Sequence, residues 1–208
     1  EYYVKTDKQV GMDIIRPIDE GEVEIIIDKK RKVEECQSLN LALRYYIVAA
    51  TLQRLRKNDL CHTSMIINVD VALRGMESVE NKVKDFLDKQ INPEVYKEAW
   101  KDLCATAPNE VKGFSYSDIA KHLMETTRLI QVRVENSAQN AALDTMDQLH
   151  FPELVSQDDA KHYIVIGGHM ISRGLTMEGL LVSYFGRDSK GYGTLIQMGR
   201  WLGYRKDY

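Results

Sequence analysis

Tyr163-Ile164-Val165-Ile166-Gly167-Gly168-His169-Met170-Ile171-Ser172-Arg173-Gly174-Leu175-Thr176 decides how this chain is read. A second apolar run, Leu180–Phe185, follows it, and then Gln197-Met198-Gly199-Arg200-Trp201-Leu202-Gly203-Tyr204-Arg205. The first stretch reads as a short buried strand that runs into a glycine pair. In an open parallel sheet, ligands bind at the carboxyl ends of the strands. Gly167 and Gly168 would let the backbone come close to a phosphate there and donate amide hydrogen bonds to it. Arg173 adds a fixed, forked positive charge, Gly174 a tight turn, and Thr176 a hydroxyl within reach of a nucleotide or a neighbouring loop. The plain alternative is a strand-ending Gly-Gly turn with a surface arginine.

The last segment is harder to explain plainly. Thr194 to Leu202 has helix character; on a helix, Gln197, Arg200 and Tyr204 share one face at i, i+3 and i+7, and Leu195, Met198 and Leu202 the opposite one. Gly199 costs about 1 kcal/mol inside a helix relative to Ala. That choice makes sense where something approaches closely, and Arg200 beside it would then project into a cleft and stabilise charge on a phosphoryl group. The rival here is an ordinary amphipathic helix with surface arginines.

Upstream, strands and helices alternate. Val23–Ile27 is expected to be a short strand, and Lys29–Lys32 a basic, solvated connector. From Ser38, the expected N-cap, to Lys57 the pattern is helical, with Leu39, Leu43, Ile47 and Ala50 at three- and four-residue spacing. Met65–Val69 reads as a buried strand. Residues 75–90 read as an amphipathic helix with Val79, Val83, Phe86 and Leu87 on one face. Two more helices are expected over 94–105 and 117–127, separated by Pro108, Asn109 and Gly113. Ile130–Val134 alternates as a strand, and residues 136–160 are polar and loop-rich. The fold class is therefore α/β, a parallel sheet with flanking helices.

Taken together, the two motifs resemble the closing half of a RecA-like helicase core of superfamily two. Ser172-Arg173-Gly174-Leu175 is similar to the fifth motif of those proteins and Gln197–Arg205 to the sixth; Met65–Asp70 occupies the place of the fourth. The run IGGHMISRGLTMEGLLVSYFGRDSK with TLIQMGRWLGYR is very similar to the Z1 domain family, found in candidate bacterial endonucleases with a helicase-like core. The helix around Leu39–Arg56, Ser64-Met65-Ile66 and Val134–Ser137 fit that family more loosely.

The resemblance implies a division into a connector and linker helix over 1–60 and a RecA-like domain over 61–208, cut short at its end, with a helical insertion at about 75–127. It also implies roles. Arg200 and Arg205 are the catalytic candidates. Arg173, Gly174, Thr176, Gln197 and Gly199 are the nucleotide-binding candidates, and Gly167, Gly168 and Ser172 the nucleic-acid-binding ones. The cofactors implied are ATP and Mg2+, and the partners are DNA and a preceding P-loop RecA domain.

This chain departs from the helicase pattern at three places. Thr176 stands where an acidic residue usually follows Arg-Gly-hydrophobic, and Gly168 where a hydroxyl residue is usual. The second arginine of the sixth motif lies three positions after the first in most relatives, but Arg205 lies five after Arg200.

No GxxxxGK[ST] occurs in the 208 residues, so no P-loop cradles a triphosphate and no Ser/Thr of that motif meets magnesium. Turnover by this chain alone is not expected. The chain starts at Glu1 rather than Met and stops just after a charged motif, which suggests an excised piece of a longer protein.

Composition excludes less than the motifs establish. A net charge of −3 argues neither for nor against DNA, since a basic groove can hide within the total. Cys36, Cys61 and Cys104 form no CxxC, so neither a zinc site nor a disulfide framework is expected, which fits a reducing cytoplasm. No apolar run is long enough for a bilayer and no signal peptide opens the chain.

Several other residues have plain readings. Asp70 with Glu80-Asn81-Lys82 has a superficial nuclease spacing, but it falls on a helix and reads as accidental. The five histidines, at 62, 122, 150, 162 and 169, show no ligand spacing and read as structural or solvent-facing. Tyr96 and Trp100 read as a core face, and Trp201 as packing for its helix. Two rival functions remain open at this stage. One is an inert helicase-fold scaffold or protein/DNA-binding module, and the other is a self-contained nuclease.

Overall fold

A computed structural model describes residues 16–69, 72–89, 92–135, 149–167 and 177–186. Among them the elements run α1 (Glu20–Ile27), α2 (Gln37–Arg56), β1 (Thr63–Asn68), α3 (Leu73–Lys89), α4 (Lys97–Thr106), α5 (Tyr116–Leu129), β2 (Ile130–Glu135), β3 (His162–Gly167) and β4 (Leu180–Phe185). The four strands form one parallel sheet in the order β2-β3-β1-β4. The α/β class and the parallel sheet match the sequence expectation and are consistent with a RecA-like fold. The expected helix over 194–202 lies outside the described residues. No described helix is long and apolar enough to cross a membrane.

β1 and β3 are buried at all six of their positions. A strand buried on both faces needs cover on both. On one face Met65, Ile67, Ile164 and Ile166 join a large core with Leu39, Leu43 and Ile47 of α2 and Val79, Val83 and Phe86 of α3. The apolar spacing seen in the sequence of both helices is the spacing that meets the sheet. Tyr96 is buried in this core and Trp100 packs against it, as their i, i+4 spacing implies. On the other face Ile66, Tyr163, Val165 and Met177 pack with Leu149, Phe151, Leu180 and Phe185.

Two local expectations are corrected. Val23–Ile27 belongs to a helix, not a strand. Its β-branched residues favour a strand, but among the described residues no strand pairs with the segment, and it buries Ile26 completely in the helix-side core. Lys82, itself buried, donates to the Asp28 carbonyl at 2.6 Å and ties the end of α1 to α3. Tertiary burial outweighs intrinsic preference here.

Ser38 is not the N-cap of α2; Cys36 holds that place and makes no side-chain cap. The open amide at Ser38 is met from α1, whose Glu22 carboxylate accepts it at 2.6 Å. The Ser38 hydroxyl is 2.6 Å from the Tyr184 hydroxyl of β4, so its role is to tie helix to sheet.

Arg54 clamps the helical layer. It is 5% exposed and reaches Thr126 at 2.8 Å and Glu125 at 2.9 Å on α5, and Asp59 at 2.7 Å. A buried guanidinium without such partners would cost several kcal/mol. Glu80 and Lys82 lie on α3, so the nuclease-like spacing does not place carboxylates on neighbouring strands; Asp70 lies outside the described residues.

The amino end of the sheet is tied by polar groups. The Tyr46 hydroxyl donates to the Tyr163 carbonyl at 3.1 Å and lies 3.2 Å from Thr63 Oγ1, which is 2.9 Å from His162 Nδ1. His62 accepts the Lys161 amide on Nδ1 at 3.1 Å and contacts the Pro152 carbonyl through Nε2 at 2.9 Å. Both histidines are buried and structural, as read from sequence. His169 lies outside the described residues.

The turn before β4 docks onto the start of β1. Ser64 donates its amide to the Gly179 carbonyl at 2.7 Å and its hydroxyl to that of Glu178 at 2.8 Å. Gly179 has φ +61°, and a Cβ there would overlap the His62 carbonyl.

Gly179→Ala is therefore expected to lower stability by more than about 2 kcal/mol through left-handed strain and overlap, a fall in Tm of about 4–8 °C. A thermal melt checks this.

A second expectation concerns acid. Burial, then Arg54, His62 and Lys161 nearby, push His162 down from 6.5 to about 4. The unfolded chain then binds the proton between pH 6.5 and 4 while the folded chain does not. Stability should fall as pH drops through that window, by on the order of 3 kcal/mol. In urea melts at pH 7 and 4.5, His162→Gln should lose much less stability between the two pH values than the parent protein does.

Candidate functional site

The carboxyl ends of the four strands lie along one edge, because the strands are parallel. From β1 the chain leaves through α3, on the helix-covered face, toward β2. From β3 it passes β1 to reach β4, and Met177 on that connection packs on the opposite face. Neighbouring strands whose connections part to opposite sides create the crevice where open α/β sheets bind ligands. In this sheet that switch point lies between β1 and β3.

All four strands end at this edge in register. Glu135 of β2 pairs with Gly167 of β3, and Asn68 of β1 with Phe185 of β4. The pairing of Ile67 with Ile166 sets Asn68 beside Gly167. Side chains alternate along each strand. Ile67, Val134 and Tyr184 face the helix-side core, so Glu135, Asn68 and Phe185 face the other way. The row thus reads Glu135, Gly167, Asn68, Phe185. Two strand spacings, roughly 10 Å, separate Glu135 from Asn68. Gly167 puts no side chain between them.

Both polar members of the row are buried, Asn68 at 1% exposure and Glu135 at 8%. The Asn68 carbonyl accepts the Gly186 amide at 3.1 Å and extends the ladder by one bond. Its side-chain Oδ1 has no hydrogen-bond partner. The Glu135 carboxylate would repel a phosphate oxygen, whereas the Asn68 carboxamide carries both an acceptor oxygen and an NH2 donor.

Of the residues singled out from sequence, Gly167 is the last residue of β3, at the centre of this row. Gly168, Ser172, Arg173, Gly174, Thr176, Gln197, Gly199, Arg200 and Arg205 lie outside the described residues. Asn68 and Glu135 were missed as candidate site residues. The available signal was that each is the polar residue closing an apolar or alternating strand, in Met65-Ile66-Ile67-Asn68 and Val132-Arg133-Val134-Glu135.

Residues 38–208 match the family model described as the Z1 domain. The chain belongs to the Z1 domain family. No curated protein and no solved structure matches it. The Z1 match begins in the first turn of α2, so α1 stands outside it. The family thus covers the whole sheet and the switch point. Among the described residues, no group of three or more His, Cys, Asp or Glu is placed to hold a metal ion.

α1 reaches this edge through Gly186. A Cβ at Gly186 would lie 2.9 Å from Val23 Cγ2 and 3.0 Å from Val69 Cγ1. Gly186→Ala should push α1 away from the Z1 edge at a cost of about 1–3 kcal/mol. The expected readout is faster proteolytic cleavage within residues 19–32, with the sheet still folded by circular dichroism.

Proposed function

We propose that this Z1 domain is the second RecA-like half of a DNA-dependent ATPase, a helicase-like motor within a bacterial endonuclease or defence system. A separate P-loop domain would hold ATP and Mg2+, and this chain would close the site from the other side. The observation that supports the reading is the topological switch point between β1 and β3. It puts Gly167 at its centre, and the Gly168–Thr176 segment follows directly from it in sequence.

The residues at the described edge divide the work. Gly167 allows backbone approach, but the Glu135 carboxylate does not suit phosphate. Phosphate contacts are then assigned to the amides and Arg173 beyond Gly167. Arg200 is assigned to the γ-phosphate, where an arginine inserted from a second domain neutralises charge in the transition state. Arg205 is assigned beside it, and Gln197 and Gly199 to the same helix face and its close approach. Gly174 and Thr176 shape the loop near the nucleotide, and Ser172 joins Gly167 and Gly168 in contacting DNA. ATP supplies the phosphoryl chemistry, and Mg2+ stays with the P-loop half. The site is cytoplasmic on this reading.

The Glu135 carboxylate in that row also favours a second reading, a helicase-fold scaffold or DNA/protein-binding module that has lost ATP chemistry.

DNA-stimulated ATP hydrolysis by the protein that carries this domain separates the two. Arg200→Ala should lower turnover by about a thousandfold or more while DNA binding persists. Equal turnover in the variant would remove Arg200 from the mechanism. No turnover in the parent protein would favour the scaffold.

A further inference from the structure

β2 is the outermost described strand on its side of the sheet and pairs with β3 alone. Among the described residues, Gln131 to Val134 bond to no other strand. The outer side of such a strand presents a row of unused N–H and C=O groups. Gln131 and Arg133 are exposed, and Val132 and Val134 are half-buried. The edge is therefore open to a further strand.

A groove of about 600 Å³ lies beside it. Leu87 of α3, Met124 of α5, and Ile130 and Val132 of β2 itself form its apolar wall. Lys84 and Arg128 add positive charge to the rim and Asp88 a negative one. Lys84 is already paired with Glu80 at 2.7 Å.

The residues of β2 set what can add here. Side chains alternate along a strand, so Ile130 and Val132 face the groove and Gln131 and Arg133 the opposite side. A strand laid along β2 places one residue across from each of these. Across from Val132 an apolar side chain is needed, because it enters the groove. Across from Arg133 a carboxylate is needed, because among the described residues no acid pairs with that arginine. A charge on an edge strand turns away like-charged and apolar strands and admits one that brings the opposite charge. A second copy of β2 does not meet these needs. Antiparallel pairing about Val132 sets Arg133 across from Gln131, and pairing about Arg133 sets two arginines together.

We propose that the outer edge of β2 and its groove bind an extended segment of a partner protein by strand addition, and that this segment alternates apolar with acidic residues. Its main chain bonds to β2, its apolar side chains fill the groove and its carboxylates meet Arg133. The surface is a sheet edge two strands away from β1, and it stands apart from the nucleotide reading.

The test uses the protein that carries this domain and short fluorescent peptides in anisotropy titrations. A peptide of alternating Val and Glu should bind. The same peptide with Lys in place of Glu should bind at least about tenfold more weakly, although the chain's net charge of −3 attracts it. Arg133→Glu should reverse that order. Arg133 is exposed, so the variant should fold, and a gain of Lys-peptide binding is an outcome that unfolding cannot imitate. Methylating the backbone nitrogens of the Val-Glu peptide removes its main-chain donors and should abolish binding. The proposal is overturned if the Val-Glu peptide does not bind, if both peptides bind equally, if the preference survives Arg133→Glu, or if binding survives methylation. Sedimentation of the parent protein covers the other occupant: a dimer that Arg133→Glu dissolves would give the edge to a second copy and overturn the proposal.

Discussion

The parallel pairing of β1 with β3, from Thr63 opposite His162 to Ile67 opposite Ile166, is the constraint on which the rest depends. Both strands are buried along their full length. Their backbone groups have no water to turn to, so neighbouring strands must pair with them on both sides. β2 and β4 supply those ladders. Their side chains leave both faces apolar, so cover is needed above and below. Helices α2 and α3 answer on one face, and the 149–151 segment with Met177 on the other. A parallel pair also needs a long crossover, and the α3–α5 layer lies in the one that joins β1 to β2.

Opposite ends of that pair serve different purposes. At the amino end the polar groups are used up: Tyr46, Thr63, His162 and His62 bond to one another or to carbonyls, and Gly179 brings the next turn against them. Such an end resists change. At the carboxyl end the central strand stops on an amide oxygen with no partner, next to a glycine. One end is spent on holding the sheet together, and the other keeps a polar atom in reserve. That asymmetry follows the general division of labour in open parallel sheets.

The Z1 domain family match covers the whole sheet, including the strand ends at the switch point. The motif residues after Gly167 bear the donors and positive charge that phosphate needs, and the strand ends bear acceptors.

Much of the fold was legible in the residues. The three- and four-residue apolar spacing of Leu39, Leu43 and Ile47 and of Val79, Val83 and Phe86 located helices, and the short runs Met65–Ile67 and Tyr163–Ile166 located strands, because periodicity reports which side of an element is buried. The glycine after Ile166 marked the strand end that sits at the switch point. Val23–Ile27 misled, since β-branched residues favour a strand until Ile26 finds a core and Lys82 a carbonyl. The cap of α2 misled as well, since Glu22 supplies from α1 what Ser38 was expected to supply locally. The sequence by itself determined the class of fold, the position of its buried strands and membership of the Z1 domain family, all of which rest on local pattern. Only the tertiary structure decided the strand order, and with it that Asn68, Gly167 and Glu135, far apart in the chain, share one row. Register is set by pairing between distant segments, and no local pattern records it.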